Sequence, residues 1–415
     1  MIHTGKQVDR RMKVFEFHDD KTTEYAILSH RWIDSTEVEY EEMVNLAKMD
    51  RQEQDEIRGR KGYKKIVDTC KQAKQDGYEW VWVDTCCIDT RSSTDILEAI
   101  NSMYRWYANA IVCYAYLHDV DGPSFPTRKD DEKYPKDGWP EWFSRGWTLQ
   151  EMLAPRNLLF FNEDWQPIGD KKSLADTLNT ITGIPAHIFG NGLEGNRPCV
   201  AQIISWAANR TTTRPEDRAY SLMGLLGVNM PMLYGEGEKA FHRLQLEIIR
   251  TSSDQSIFAW GRSGHTIGSI LADDPSSFKN CSDMELMDHD EFVQSLEHHG
   301  VAQEELFSID QNDVGVFPVT NRGIQICMPL RPYGGSCTLN QAWLPCRHGS
   351  SGPPVTINLA LRNSNYYRYC SPVVQHLPTS VPIKFCKVYL RYQCTPRTNY
   401  SPIGRYVTAL SRIKF

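Results

Sequence analysis

The sequence predicts an α/β protein built on a doubly wound parallel sheet, followed by a helical region and a β-rich C-terminal region. Three observations predict it. From residue 24 short apolar runs alternate with helical patterns, which is the signature of parallel strands joined by crossover helices. Residues 197–262 carry helical periodicity, with Phe241, Leu244 and Ile248 spaced by three and four. Beyond residue 265 the chain is irregular, then apolar in the runs 314–330, 354–361 and 383–393, which predicts an antiparallel β unit.

Residues 1–23 read as a lead-in. Residues 24–29 (EYAILS) form the first predicted strand. The charged stretch 48–61 is a surface insertion, and 62–75 is a helix with Ile66, Cys70 and Ala73 inward. A second strand spans 79–84 (EWVWVD). Ser93 is the predicted N-cap of a helix to residue 108, in which Ile96, Ile100, Met103 and Tyr107 recur at spacings of four, three and four. Residues 110–117 (AIVCYAYL) are a buried strand. Residues 118–140, rich in Asp, Lys, Pro and Gly, form a second insertion, placed where a loop acts either as a lid or as a passive excursion. In the short helix that follows, at about 100° per residue, Leu149, Met152 and Leu153 share one face while Trp147 and Glu151 share the other. Glu151 is therefore expected to point away from the core. Pro155 stops the helix, 157–161 (NLLFF) is the fourth strand, and the α/β domain is placed at 24–190.

A chain of 415 residues exceeds one compact core, so two or three domains are expected. The net charge of -6 gives no general basic footprint, and no DNA partner is expected. The absence of an 18-residue apolar run or a signal-like N-terminus predicts a cytoplasmic protein without a membrane span. The twelve cysteines are scattered and include no Cys-x-x-Cys pair, which points to reduced thiols and no metal site.

Ligands of open parallel sheets bind at the carboxyl ends of the strands, where strand order reverses. The first strand ends in Ser29, His30, Arg31 and Trp32, and the second in Asp84. Together with Trp147 and Glu151 these are the candidate site residues, and they suit a ligand with phosphates, riboses and a flat base. Each also has a structural use: a loop hydrogen bond for His30, a cap for Asp84, a surface ion pair for Arg31, and packing for the tryptophans. The chain lacks a Walker motif and a Gly-x-Gly-x-x-Gly, which argues against an ATPase and a dinucleotide dehydrogenase.

Residues 25–32 (YAILSHRW), 81–89 (VWVDTCCID), 99–107 (AINSMYRWY) and 145–153 (RGWTLQEML) resemble, in order, the heterokaryon incompatibility (HET) domain of filamentous fungi. Residues 213–224, 233–241 and 254–260 resemble the helical region that follows it in vegetative incompatibility proteins. The resemblance implies nonself recognition and programmed cell death after fusion of unlike cells. It also implies a remote likeness to Toll/interleukin-1 receptor (TIR) domains, hence a TIR/flavodoxin-like fold, with Glu151 at the position of the glutamate with which some TIR domains cleave NAD. On that reading NAD is a substrate rather than a cofactor, Arg31 holds phosphate, and Trp32 or Trp147 stacks on a ring. The partners implied are further copies of the chain and an upstream recognition protein. A non-enzymatic module that self-assembles through the same domain is the alternative.

Overall fold

The computed structural model describes residues 1–4, 20–33, 36–193, 195, 197–262, 266–302, 305, 317–333, 336–370 and 382–393. Its first sheet has six strands: β1 (Ile2–His3), β2 (Tyr25–His30), β3 (Trp80–Trp82), β4 (Val112–Tyr116), β5 (Leu158–Phe161) and β6 (Pro167–Asp170). Their order is β1-β3-β2-β4-β5-β6. The inner four are parallel, and β1 and β6 flank them antiparallel. The chain goes from β2 to β3 on one side and then to β4 and β5 on the other, so strand order reverses between β2 and β4. All six residues of β2 are buried, as a central parallel strand covered on both faces requires.

Helices cover both faces. On one, Ala26, Leu28, Val81, Val112 and Tyr114 share a core with Met43 of α1 (Tyr40–Asn45), Ile57 of α2 (Arg51–Gly59), and Ile66, Cys70 and Ala73 of α3 (Lys61–Gln75). The inward residues expected of α3 are the ones it buries. A four-residue turn, α4 (Asp84–Cys87), then leads to α5 (Ser93–Asn109). On the opposite face Trp82 of β3 packs against Trp106 and Tyr107 of α5, with ring centroids 5.3 and 6.1 Å apart. The N-cap of α5 is Ser92 rather than Ser93; its hydroxyl accepts from the Asp95 amide.

Both insertions are more ordered than surface excursions. Helix α2 lies within the first, opened by a capping box in which Asp50 accepts from the Glu53 amide, with Ile57 turned into the core. The second buries Phe125, Tyr134 and Trp139, and Phe125 ties it to the sheet through Phe160 of β5, ring centroids 4.9 Å apart. Strand β1, inside the lead-in, was not foreseen.

Residues 1–261, 272–292 and 345–355 form one compact unit. It includes the helices Val200–Ser205, Asp217–Tyr220, Met223–Leu226 and Lys239–Thr251, the last burying the expected Phe241, Leu244 and Ile248. The second unit is residues 262–271, 293–344 and 356–415. Its strands Gly323–Pro332 and Lys384–Leu390 pair antiparallel over seven residue pairs, and Pro354–Arg362 pairs antiparallel with Asn365–Cys370. The sheet closes on itself where Leu339–His348 pairs with Gly323–Pro332. The described strands within 314–330 are Val319–Thr320 and the start of Gly323–Pro332; residues 314–316 lie outside the described residues. Among the described residues no helix is long and apolar enough to cross a membrane.

Candidate functional site

Successive side chains of a strand point to opposite faces. The end of β2 therefore places Ser29 and His30 in two different environments, and the candidate residues separate into two groups.

Ser29 faces helix α6 (Thr148–Leu153) and the short 3-10 turn Glu141–Ser144 before it. Its hydroxyl donates to Oε2 of Glu151 at 2.5 Å and accepts from the Trp142 indole N–H at 2.8 Å. The Tyr107 hydroxyl, which donates to the Leu28 carbonyl at 2.9 Å, sits beside the same carboxyl. Here the expectation from helix periodicity fails: Glu151 is 5% exposed rather than turned to solvent. The reason is that all six residues of α6 are buried, so the helix has no outer face. The sheet lies on one side, and on another the segment after helix Val200–Ser205 clamps its entry. Thr211 donates to the Ser144 carbonyl and accepts from the Gly146 amide, at 2.7 and 2.9 Å. A side chain at Gly146 would meet the Thr212 methyl 2.5 Å from a Cβ, so a larger residue there would have to displace Thr212. Arg210, buried, donates to the Arg145 carbonyl and the Thr148 hydroxyl.

Burial pushes the Glu151 carboxyl up to about 8, with the negative charge of Asp84 adding to it and the Ser29 hydrogen bond opposing it. At neutral pH the group is a neutral acid. Its proton has a ready acceptor in the Tyr107 oxygen, whose own proton goes to Leu28. Stability follows from this shift. Between the unfolded value near 4.5 and about 8 the folded state binds the extra proton, so stability falls as pH rises through that window. Glu151→Gln, which keeps the neutral shape, removes the effect. The variant is expected to match wild type at about pH 4 and below, and to exceed it by a few kcal/mol near pH 9. Equal urea midpoints for the two proteins at pH 9 would show that the carboxyl is not held neutral.

His30 faces the other way, toward α3 and α4. Its Nε2 lies 3.7 Å from both Glu37 Oε2 and Asp84 Oδ1, and among the described residues neither ring nitrogen has a hydrogen-bond partner within range. Burial, then the charge of Lys65, drives its pKa well below the usual range, so the ring is neutral. Lys65 reaches Glu37 at 2.6 Å. Asp84 opens α4 rather than ending a strand and accepts from the Trp32 indole at 2.7 Å. Burial raises its pKa to about 6, against the pull of that hydrogen bond.

The structure thus brings Ser29 to Glu151, and His30 and Trp32 to Asp84. It does not bring Arg31 or Trp147 to either group. Arg31 pairs with Glu141 at 3.0 Å. Trp147 stands at the start of α6, half-buried, and its indole acts on Asp217 of the following helical segment. Sequence reasoning missed Trp142, Tyr107, Glu37 and Lys65 as site neighbours. Tyr107 was legible as an inward helix position, but its hydroxyl partner was not. Among the described residues no group of three or more His, Cys, Asp or Glu is placed to hold a metal ion.

Residues 25–139 match the family model described as heterokaryon incompatibility protein (HET), and residues 239–269 match one described as a domain of unknown function (DUF8212). The first match covers Ser29, His30, Arg31, Trp32 and Asp84 and stops short of Trp147 and Glu151. Over 234 residues, 55% of this chain, the sequence is 42% identical to the vegetative incompatibility protein HET-E-1 of Podospora anserina. The chain covers 16% of that relative's length. No solved structure matches the chain significantly.

Proposed function

We propose, from the heterokaryon incompatibility (HET) domain that this chain carries, that it is an effector of nonself recognition between fungal cells, and that its chemistry is hydrolysis of the nicotinamide–ribose bond of NAD at Glu151. The observation that carries the chemical part is the buried Ser29–Glu151 pair at the carboxyl end of β2, where strand order reverses. A carboxyl raised to about 8 beside such an edge is the kind of perturbed group that functional sites contain. One carboxylate suffices for this reaction, because nicotinamide leaves as a neutral base from an already cationic ring and needs no second acid. Ionised, Glu151 would stabilise the oxocarbenium-like ribose.

In the folded chain the carboxyl is neutral and covered. The proposed enzyme is latent until self-association in the cytoplasm, or an upstream partner, opens the edge and lets Glu151 ionise. A likeness to TIR domains is part of this reading. A second reading rests on the same buried contact: the Ser29–Glu151 hydrogen bond acts as a latch in a non-enzymatic module that signals by assembly.

The test is made in a fungal host able to form heterokaryons, expressing either wild type or Glu151→Gln. Wild type is expected to lower the yield of viable heterokaryons, and the glutamine variant to restore it. Unchanged yield with wild-type protein at normal abundance would remove the effector reading. Equal loss with both proteins would leave the effector and remove its carboxylate chemistry.

A further inference from the structure

We infer that the amino-terminal edge of the first sheet, opposite Glu151, is a binding site for a small phosphorylated metabolite with a flat ring. A cleft of about 360 Å³ lies there, lined by the starts of β4 and β5 and the end of β6. That volume is at the lower end of small-ligand sites and fits a mononucleotide-sized molecule.

Its charge is arranged for an anion. Lys171 is 3% exposed, and among the described residues its ammonium donates only to main-chain carbonyls, those of Pro155 and, at 3.4 Å, Met152. A buried cation without a countercharge is costly, and burial lowers its pKa to about 8. Arg156 and Lys172 stand exposed at the rim, and neither forms an ion pair among the described residues. Two acids are also in the lining: Asp170 is occupied by the Ser173 hydroxyl at 2.7 Å and the Lys172 amide at 2.9 Å, and Asp76 by the Tyr114 hydroxyl at 2.5 Å and the Gln72 side-chain amide at 3.1 Å. Three cations therefore line the cleft, and the guanidinium among them can take a phosphate through two parallel hydrogen bonds. Tyr78 and Ile111 supply an aromatic and an aliphatic wall for a ring. The carbonyls that Lys171 holds are the last ones of α6 and its exit, so a phosphate drawing on that ammonium bears on the seat of the Glu151 helix.

The test is a calorimetric titration of the whole chain with AMP and with inorganic pyrophosphate. Both are expected to bind saturably. The double variant Arg156→Ala/Lys172→Ala, altered only at exposed positions, is expected to weaken both by about tenfold or more, which is 1.4 kcal/mol. Arg156→Lys/Lys172→Arg keeps the charge and should retain binding. Glu151→Gln should bind as wild type does, which separates this cleft from the carboxyl-end site. Absence of saturation at millimolar ligand, or equal affinity in the double alanine variant, would overturn the inference.

Discussion

Trp142→Ala is expected to destabilise the first unit by about 3–5 kcal/mol, the range for truncating a buried aromatic. The indole is fully buried and meets Phe143 and Phe160 edge-on, at centroid distances of 4.9 and 5.8 Å. Alanine would leave a cavity among rings that β5 and the turn before α6 hold in place. It would also remove the N–H donated to Ser29, so the hydroxyl that holds Glu151 would lose its own anchor. Trp142→Phe separates the two contributions. It keeps most of the packing and loses the hydrogen bond, with an expected cost of about 1–2 kcal/mol. Urea unfolding followed by fluorescence measures both. A midpoint for the alanine variant within error of wild type would mean that Trp142 does not anchor this corner.

The strands of the first sheet were legible because their apolar runs are short, separated and bounded by polar residues. Residues 24–29, 110–117 and 157–161 differ from the observed β2, β4 and β5 only at their ends. Helix α3 was legible for the same reason: one face pays attention to one sheet, and periodicity reports it. Helix α6 was not, because periodicity assumes an element with an inside and an outside. Six residues enclosed between the sheet and the 200–212 segment have no outside, and the polarity of Glu151 then marks a buried hydrogen-bonded acid rather than a solvated face. The division of Ser29 from His30 needed nothing beyond the alternation of a strand, and reading the strand end as one cluster overlooked it. The capping box at Asp50 and Glu53 and the aromatics Phe125, Tyr134 and Trp139 were likewise in the sequence as signs of order within both insertions. The contacts of Arg210 with the entry of α6 span more than sixty residues and carry no local signal.

The second large effect concerns turnover. Glu151→Gln is expected to lower NAD consumption by at least about 100-fold, because an amide cannot stabilise the developing positive charge of the ribose. The substitution should leave the fold intact. The amide oxygen can accept from Ser29 as the carboxyl does, and its NH₂ can donate to the Tyr107 oxygen. Because Glu151 is neutral in the latent state, the variant mimics that state, and loss of activity could not be attributed to unfolding. A pH profile adds a second readout. Turnover requires ionised Glu151, so activity of the wild type should rise as pH approaches about 8.

The measurement that bears most directly on the account is the NAD level over time with purified wild-type protein and Glu151→Gln, both at high concentration with a crowding agent to favour assembly. Loss of NAD with release of nicotinamide by wild type alone is the predicted result. Stable NAD with both proteins, folded and assembled, would contradict it and leave Glu151 as the latch of a signalling module.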